Sequence, residues 1–167
     1  MVFEGRGQIN KYTGDGFLAI FGAPEPLNDH VSRAFDTACR LVEITRTFHL
    51  AGKPIAVGIG LHTGKAILGN IGSRTKIEYT AVGDTVNTAA RLQEYTRQFH
   101  EYPIIMSRPV RAGLVSDPRY AAVRSLGKLE IRGKKEEVEA FGFPRFPEAG
   151  ADDHAPGLMP LQRIKGV

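Results

Sequence analysis

The stretch from Ile77 to Leu92, Ile-Glu-Tyr-Thr-Ala-Val-Gly-Asp-Thr-Val-Asn-Thr-Ala-Ala-Arg-Leu, constrains this chain more than any other. Ile77, Tyr79 and Ala81 alternate as a short strand does, Gly83 permits a tight turn, and Asp84 is placed to cap a helix opening at Thr85 and Val86. A strand delivered by a tight turn into a helix specifies a mixed α/β chain and puts polar groups on the first helical turns. Asn87 and Arg91 lie four residues apart and share a helical face. A guanidinium fork holds oxyanions and an amide orients a hydroxyl, so the pair suits a phosphate beside a sugar. An isolated Asn/Arg pair is more ordinarily a solvated helix face, and the rest of the chain has to decide.

With 167 residues and 42% hydrophobic content, the sequence supports one domain with a real core. Its net charge of +4 comes from 22 basic and 18 acidic residues that are interspersed. Nothing therefore marks a nucleic-acid or membrane surface, whereas a modest basic surplus suits an anionic small molecule. The single cysteine, Cys39, rules out an intramolecular disulfide and reads as a small buried hydrophobe on a helix. No apolar run reaches membrane-spanning length and Met1–Arg6 lacks signal-peptide architecture, so the expectation is a cytoplasmic chain.

Residues 8 to 21 read as two strands joined at Gly14-Asp15-Gly16. Asp15 at the tip is either a solvated turn residue or a carboxylate offered to a hard cation, with Lys11 nearby as an anion or base contact. Asn28 or Asp29 is placed to cap a scaffold helix whose apolar face is Val31, Ala34, Phe35, Ala38, Leu41, Val42 and Phe48. His30 and His49 near its ends read as surface or capping groups. Ile55–His62 is a continuous apolar run, expected as a central strand covered on both faces. The glycine-rich stretch Thr63–Gly72 fails the phosphate-loop spacing, with Ile59 where the first glycine belongs and Ala66 after Lys65. Its glycines fit close strand packing and turns, followed by a loop at Ser73-Arg74-Thr75. The helix after Gly83 should run to about Gln98. Pro103–Ser107 should form a strand, Arg108–Leu114 a short helix and Ala121–Leu126 a further strand, before a hairpin of Lys128–Arg132 with Val138–Phe143. From Pro144 periodicity collapses, and residues 147–167 are expected to be a disordered tail in which Asp152, Asp153 and His154 resemble metal ligands by type alone.

Four motifs in this order resemble the catalytic domain of the class III nucleotidyl cyclases: Lys11-Tyr12-Thr13-Gly14-Asp15-Gly16, Gly58–Gly64, Glu78–Leu92 and Ile131-Arg132-Gly133. The resemblance covers about residues 5 to 143 and implies a ferredoxin-like, palm-type sheet with helices packed on it. It also implies that residues 1–146 form a partial domain, since the family's first strand, which carries the first metal-binding aspartate, and two helices have no counterpart before the hairpin. By the resemblance, Asp15 is one of two aspartates that hold a pair of Mg²⁺ or Mn²⁺ ions. Lys11 and Thr80 select the purine, a combination that goes with ATP. Asn87 orients the ribose, Arg91 neutralises charge on the α-phosphate, and Arg132 stands where a lysine usually contacts the β- and γ-phosphates, with altered donor geometry. The implied reaction is conversion of ATP to 3′,5′-cyclic AMP and pyrophosphate. The implied assembly is a head-to-tail homodimer, or a heterodimer with another cyclase domain, in which one subunit supplies the metal aspartates and the other the remaining groups. A chain lacking the first aspartate is expected to be inactive alone; the alternative is a non-catalytic nucleotide-binding or dimerisation module, or a decayed fragment. The Gly14–Phe17 run also hints at a diguanylate cyclase, against which the Asn/Arg helix argues.

Overall fold

The structure, a computed structural model, describes residues 1–73, 76–133 and 136–144. The chain opens with an antiparallel ribbon, β1 (Gly7–Thr13) and β2 (Gly16–Phe21), reversed at Gly14 with φ of 66°. Helix α1 (His30–Thr45) follows, then a minimal hairpin of β3 (His49–Leu50) and β4 (Lys53–Pro54), and the short strand β5 (Ile59–Leu61). A second antiparallel ribbon, β6 (Ile67–Ser73) with β7 (Lys76–Val82), leads through Gly83 into α2 (Asp84–Tyr95). The remainder is β8 (Ile104–Ser107), α3 (Arg108–Ala112), a 3₁₀ turn at Pro118–Ala122, β9 (Arg124–Leu129) and β10 (Val138–Phe143).

Strands β5, β8, β10 and β9 form one mixed sheet in that order, with β5 parallel to β8 and the other pairs antiparallel. Alternation along β8 sends its side chains to two cores. Ile104 and Met106 meet Phe35, Cys39 and Phe143 under α1, while Ile105 meets Leu92 of α2 with Leu129 and Ala140. The rings of Phe35 and Phe143 pack edge to face, 5.0 Å apart. Cys39 is buried, as its helical position suggests, and desolvation pushes its thiol up to about 11. Arg119 closes the α1 side: it lies over the Phe35 ring at 4.7 Å and pairs with Asp36 and Asp117. Its guanidinium holds the Asp117 carboxyl below the usual carboxylate value.

Several expected details change. The run after Pro54 is covered by α1 on one face and α2 on the other, yet β5 lies at the end of its sheet, and β8, fully buried, and β10, buried from Ala140 to Phe143, are the central strands. Gly60 lets α2 come close, since a Cβ there would sit 2.1 Å from the Ala89 carbonyl oxygen. Among the described residues, β5 and β2 each keep one edge without a strand partner. Helix α1 ends at Thr45, so Phe48 leaves its apolar face and is exposed. Asp29 occupies the N-cap position without capping, because its carboxylate reaches Arg33 Nε at 2.8 Å. His30 ties Leu27 to Thr63, its Nδ1 lying 2.9 Å from the Leu27 oxygen and its Nε2 3.0 Å from the Thr63 hydroxyl. The two strands expected over 121–132 are one strand, β9, preceded by the 3₁₀ turn, and its hairpin partner is β10. Strand β6 answers the glycine-rich stretch, whose lack of alternation had hidden it. The tail 147–167, with Asp152, Asp153 and His154, lies outside the described residues, as do Arg74 and Thr75.

Candidate active site

Lys11 and Asp15 ride on the first ribbon, Thr80 on the second, Asn87 and Arg91 on α2, and Arg132 on the turn after β9. A side chain that sequence reasoning did not single out, Asn10, joins the two ribbons. The register of β1 on β2 steps from Ile9↔Ala19 to Lys11↔Leu18, leaving Asn10 as a bulge. A bulge re-aims a side chain out of the ladder. Asn10 Nδ2 donates to the Tyr79 carbonyl at 3.2 Å, and its Oδ1 accepts from the Ala81 N–H at 3.3 Å and from the Thr80 hydroxyl at 2.9 Å. The sequence signal was the consecutive polar pair Asn10-Lys11, which breaks the alternation of a strand. Thr80 is consequently buried, whereas of Ile77, Tyr79 and Ala81, the residues whose alternation indicated the strand, Ile77 and Tyr79 are exposed and Ala81 is buried.

Helix α2 begins one residue earlier than the sequence indicates. Gly83, at φ 138°, takes the N-cap position, and Asp84 lies in the first turn, where a carboxylate favours the positive end of the helix. The Thr85 hydroxyl donates to the Lys65 carbonyl at 2.5 Å and the Thr88 hydroxyl to the Asp84 carbonyl at 2.8 Å, fixing the helix entry. Asn87 is exposed. Arg91 is half-buried, and its Nη1 donates to both carboxylate oxygens of Glu94 at 2.7 and 2.9 Å. One turn on, the Tyr95 hydroxyl donates to the Glu130 carbonyl at 2.6 Å, bringing the chain that carries Arg132 against the helix end. Lys11 and Arg132 are exposed.

Asp15 lies exposed at the ribbon tip, and no hydrogen bond or ion pair joins it to the other five residues. Two groupings result: Lys11 with Thr80 through Asn10, and Asn87 with Arg91 and the Arg132 turn along α2. One carboxylate suits a hard divalent cation as a single ligand. Among the described residues no cluster of three or more His, Cys, Asp or Glu could hold a metal. No helix among them is long and apolar enough to cross a membrane.

Comparison with known proteins identifies the family. The adenylate and guanylate cyclase catalytic domain matches residues 7–143. An uncharacterised Mycobacterium tuberculosis protein is 32% identical over 136 residues, which cover 80% of this chain and 23% of that protein. An adenylate cyclase of Anabaena cylindrica is 29% identical over 148 residues, covering 83% of this chain and 28% of its own length. The chain thus spans about a quarter of these relatives. Among solved structures, the guanylate cyclase domain of RhGC from Catenaria anguillulae in complex with GTP superimposes with a TM-score of 0.72 at 27% identity, over 87% of this chain and 76% of that one. The chain is therefore a member of the adenylate and guanylate cyclase catalytic domain family.

Proposed function

We propose that this chain supplies the purine-selecting and transition-state half of an ATP-cyclising site. The observation that carries the reading is the Asn10 crosslink, which holds the strand bearing Lys11 against the strand bearing Thr80, two turns from Arg91 along the same stretch of chain. Lys11, an obligate donor, suits the adenine N1 acceptor, and the Thr80 oxygen suits the adenine amino group. Asn87 orients the ribose so that its 3′-hydroxyl faces the α-phosphorus. The 3′-oxygen forms the new bond as the bond from the α-phosphorus to the bridging oxygen breaks in line, and pyrophosphate carries away that electron pair. Attacker and target belong to one molecule, so positioning replaces capture of a second substrate. Arg91 exchanges Glu94 for the α-phosphate oxygens as charge concentrates there, and Arg132 contacts the β- and γ-phosphates.

Mg²⁺ or Mn²⁺, when bound, would lower the pKa of the attacking hydroxyl and screen the triphosphate. Asp15 is the residue of this chain suited to such a cation. It would contribute a single carboxylate ligand. Exposed apolar residues on the ribbons, Tyr12, Ile67 and Ile77, support pairing with a second cyclase domain, either another copy or a different chain. A cytoplasmic, signal-transducing role belongs to the same proposal and rests on ATP as substrate and on the free thiol of Cys39.

The isolated Asp15 favours a second reading, a nucleotide-binding or dimerisation module without turnover. The two are separated by assaying cyclic AMP formation from ATP with Mn²⁺, using the chain alone and mixed with a cyclase domain that keeps its metal aspartates but lacks its own Asn and Arg. Activity in the mixture supports the half-site; silence from a mixture that demonstrably forms the heterodimer supports the module.

A further inference from the structure

Asn10 has a consequence for substrate choice that goes deeper than holding two strands together. Its amide orientation is not free. The Ala81 N–H can only donate and the Tyr79 carbonyl can only accept, so a flipped amide would set donor against donor and acceptor against acceptor. Oδ1 is therefore the atom beside Thr80, 2.9 Å from its hydroxyl oxygen. The other polar neighbour of that hydroxyl is again an acceptor, the Ala81 carbonyl at 3.5 Å. A hydroxyl has one proton and two lone pairs, and both protein neighbours demand the proton. The Thr80 oxygen then has only lone pairs to offer a ligand.

We propose that Asn10 is a specificity-positioning residue: by fixing the Thr80 hydroxyl as a donor to itself, it makes Thr80 an obligate acceptor toward the base and so selects adenine over guanine. Adenine presents an amino group at C6, a donor that this oxygen accepts from. Guanine presents a carbonyl at C6, which meets lone pairs with lone pairs. A threonine by itself carries no such preference, because its hydroxyl turns to suit either partner; the discrimination comes from the neighbour on the bulge. This rests on the reading of Lys11 and Thr80 as the base-contacting pair, and it adds a residue that touches no substrate atom.

The test is equilibrium binding of ATP and of GTP to the full chain with Ca²⁺, read as the ratio of the two dissociation constants, for the wild type, Asn10→Ala, Asn10→Asp, Thr80→Val and the double variant Asn10→Ala/Thr80→Val. Each protein is first checked for a cooperative thermal transition. A site that hydrogen-bonds one base and opposes the other commonly discriminates by about 10-fold or more. Asn10→Ala frees the hydroxyl to donate, and the ATP/GTP preference should fall by roughly that factor through tighter GTP binding. Asn10→Asp loses the Tyr79 bond and loosens the ribbons, yet still takes the Thr80 proton, so its ratio should stay near the wild-type value. In the Thr80→Val background Asn10→Ala should leave the ratio unchanged.

A merely structural Asn10 gives a different pattern. Both substitutions then weaken ATP and GTP equally, or Asn10→Ala moves the ratio whether or not the Thr80 hydroxyl is present, and either result overturns the proposal. Should Asn10→Ala fail to fold, the near-isosteric Asn10→Leu, which likewise takes no proton from Thr80, replaces it with the same expected and contrary outcomes, and a collapsed ratio in Asn10→Asp contradicts the proposal. If Thr80→Val shifts the ratio while Asn10→Ala does not, only the role of Asn10 falls. If neither Thr80→Val nor Lys11→Ala changes the binding of either nucleotide, the base-contacting pair and the proposal fall together.

Discussion

The four-stranded sheet and the two ribbons are built on opposite economies of contact. Strands β8 and β10 are buried on both faces, between Phe35 and Cys39 on one side and Leu92 on the other. Among the described residues the ribbons contribute little to the core: Tyr12, Ile67 and Ile77 are 76%, 71% and 63% exposed, and Asn10 hydrogen-bonds β1 to β7. Stability is therefore concentrated in the sheet, while the groups proposed to read the base sit on the less buried part. Loops and ribbons positioned by a rigid scaffold are where proteins commonly place such groups. The contrast implies that stability and nucleotide selectivity are separable by mutation.

The strongest challenge to that separation is Phe143→Ala, which empties the edge-to-face contact with Phe35 in the main core. It should lower unfolding stability by about 3–5 kcal/mol in chemical denaturation. Ile77→Ala on the ribbon should stay within about 0.5 kcal/mol of the wild type. A similar loss at both sites would erase the distinction. On the functional side, Arg91→Ala in an active mixture should reduce kcat by about 10²-fold or more with little change in KM, at nearly unchanged stability. A raised KM with intact kcat would instead assign Arg91 to ground-state binding.

A smaller effect concerns acid sensitivity of the sheet side. Asp117 is held below its ordinary value of 3.8, first by its hydrogen bond from Arg119. Its contribution is therefore present at neutral pH, above the unfolded value, and is lost as the pH falls through the lowered folded value. Asp117→Asn should flatten stability against pH below about 4 and leave the ATP/GTP preference alone, as thermal melts across that range would show. The smallest expected change is at Glu94. The pair with Arg91 is surface-exposed and worth a few tenths of a kcal/mol, so Glu94→Gln should strengthen triphosphate binding by roughly twofold at low salt, and less at high salt. Titration calorimetry at two ionic strengths reads that difference.

Much of the scaffold was legible because it follows simple periodicity. The first ribbon announces itself through β-formers around Gly14-Asp15-Gly16, and α1 through the spacing of Phe35, Ala38 and Val42. Strand β8 was visible as an apolar run, but its central place was not, because a run of buried residues reports coverage of both faces and says nothing of neighbours within the sheet. The same ambiguity put β5 in the middle. Strand β6 was concealed by glycines that remove alternation, and the boundary of β9 slipped because the 3₁₀ turn at Pro118–Ala122 mimics the start of an extended segment. Within the site, Asn87 and Arg91 could be paired from helical spacing alone. Periodicity could not place Thr80 beside the first ribbon, and the resemblance paired it with Lys11 without showing how, since its contact with Asn10 joins residues 70 apart in sequence through a bulge that shifts the register.

Hydrogen–deuterium exchange of the full chain, with and without ATP and Mn²⁺, tests the placement of the site most directly. The account predicts nucleotide-dependent protection in β1, β7 and the first turns of α2, with GTP protecting these segments less and with β8 and β10 unchanged because they are already slow to exchange. Protection absent from β1 and β7, or appearing instead in the four-stranded sheet, would contradict the assignment of the ribbons as the base-reading half of a cyclase site.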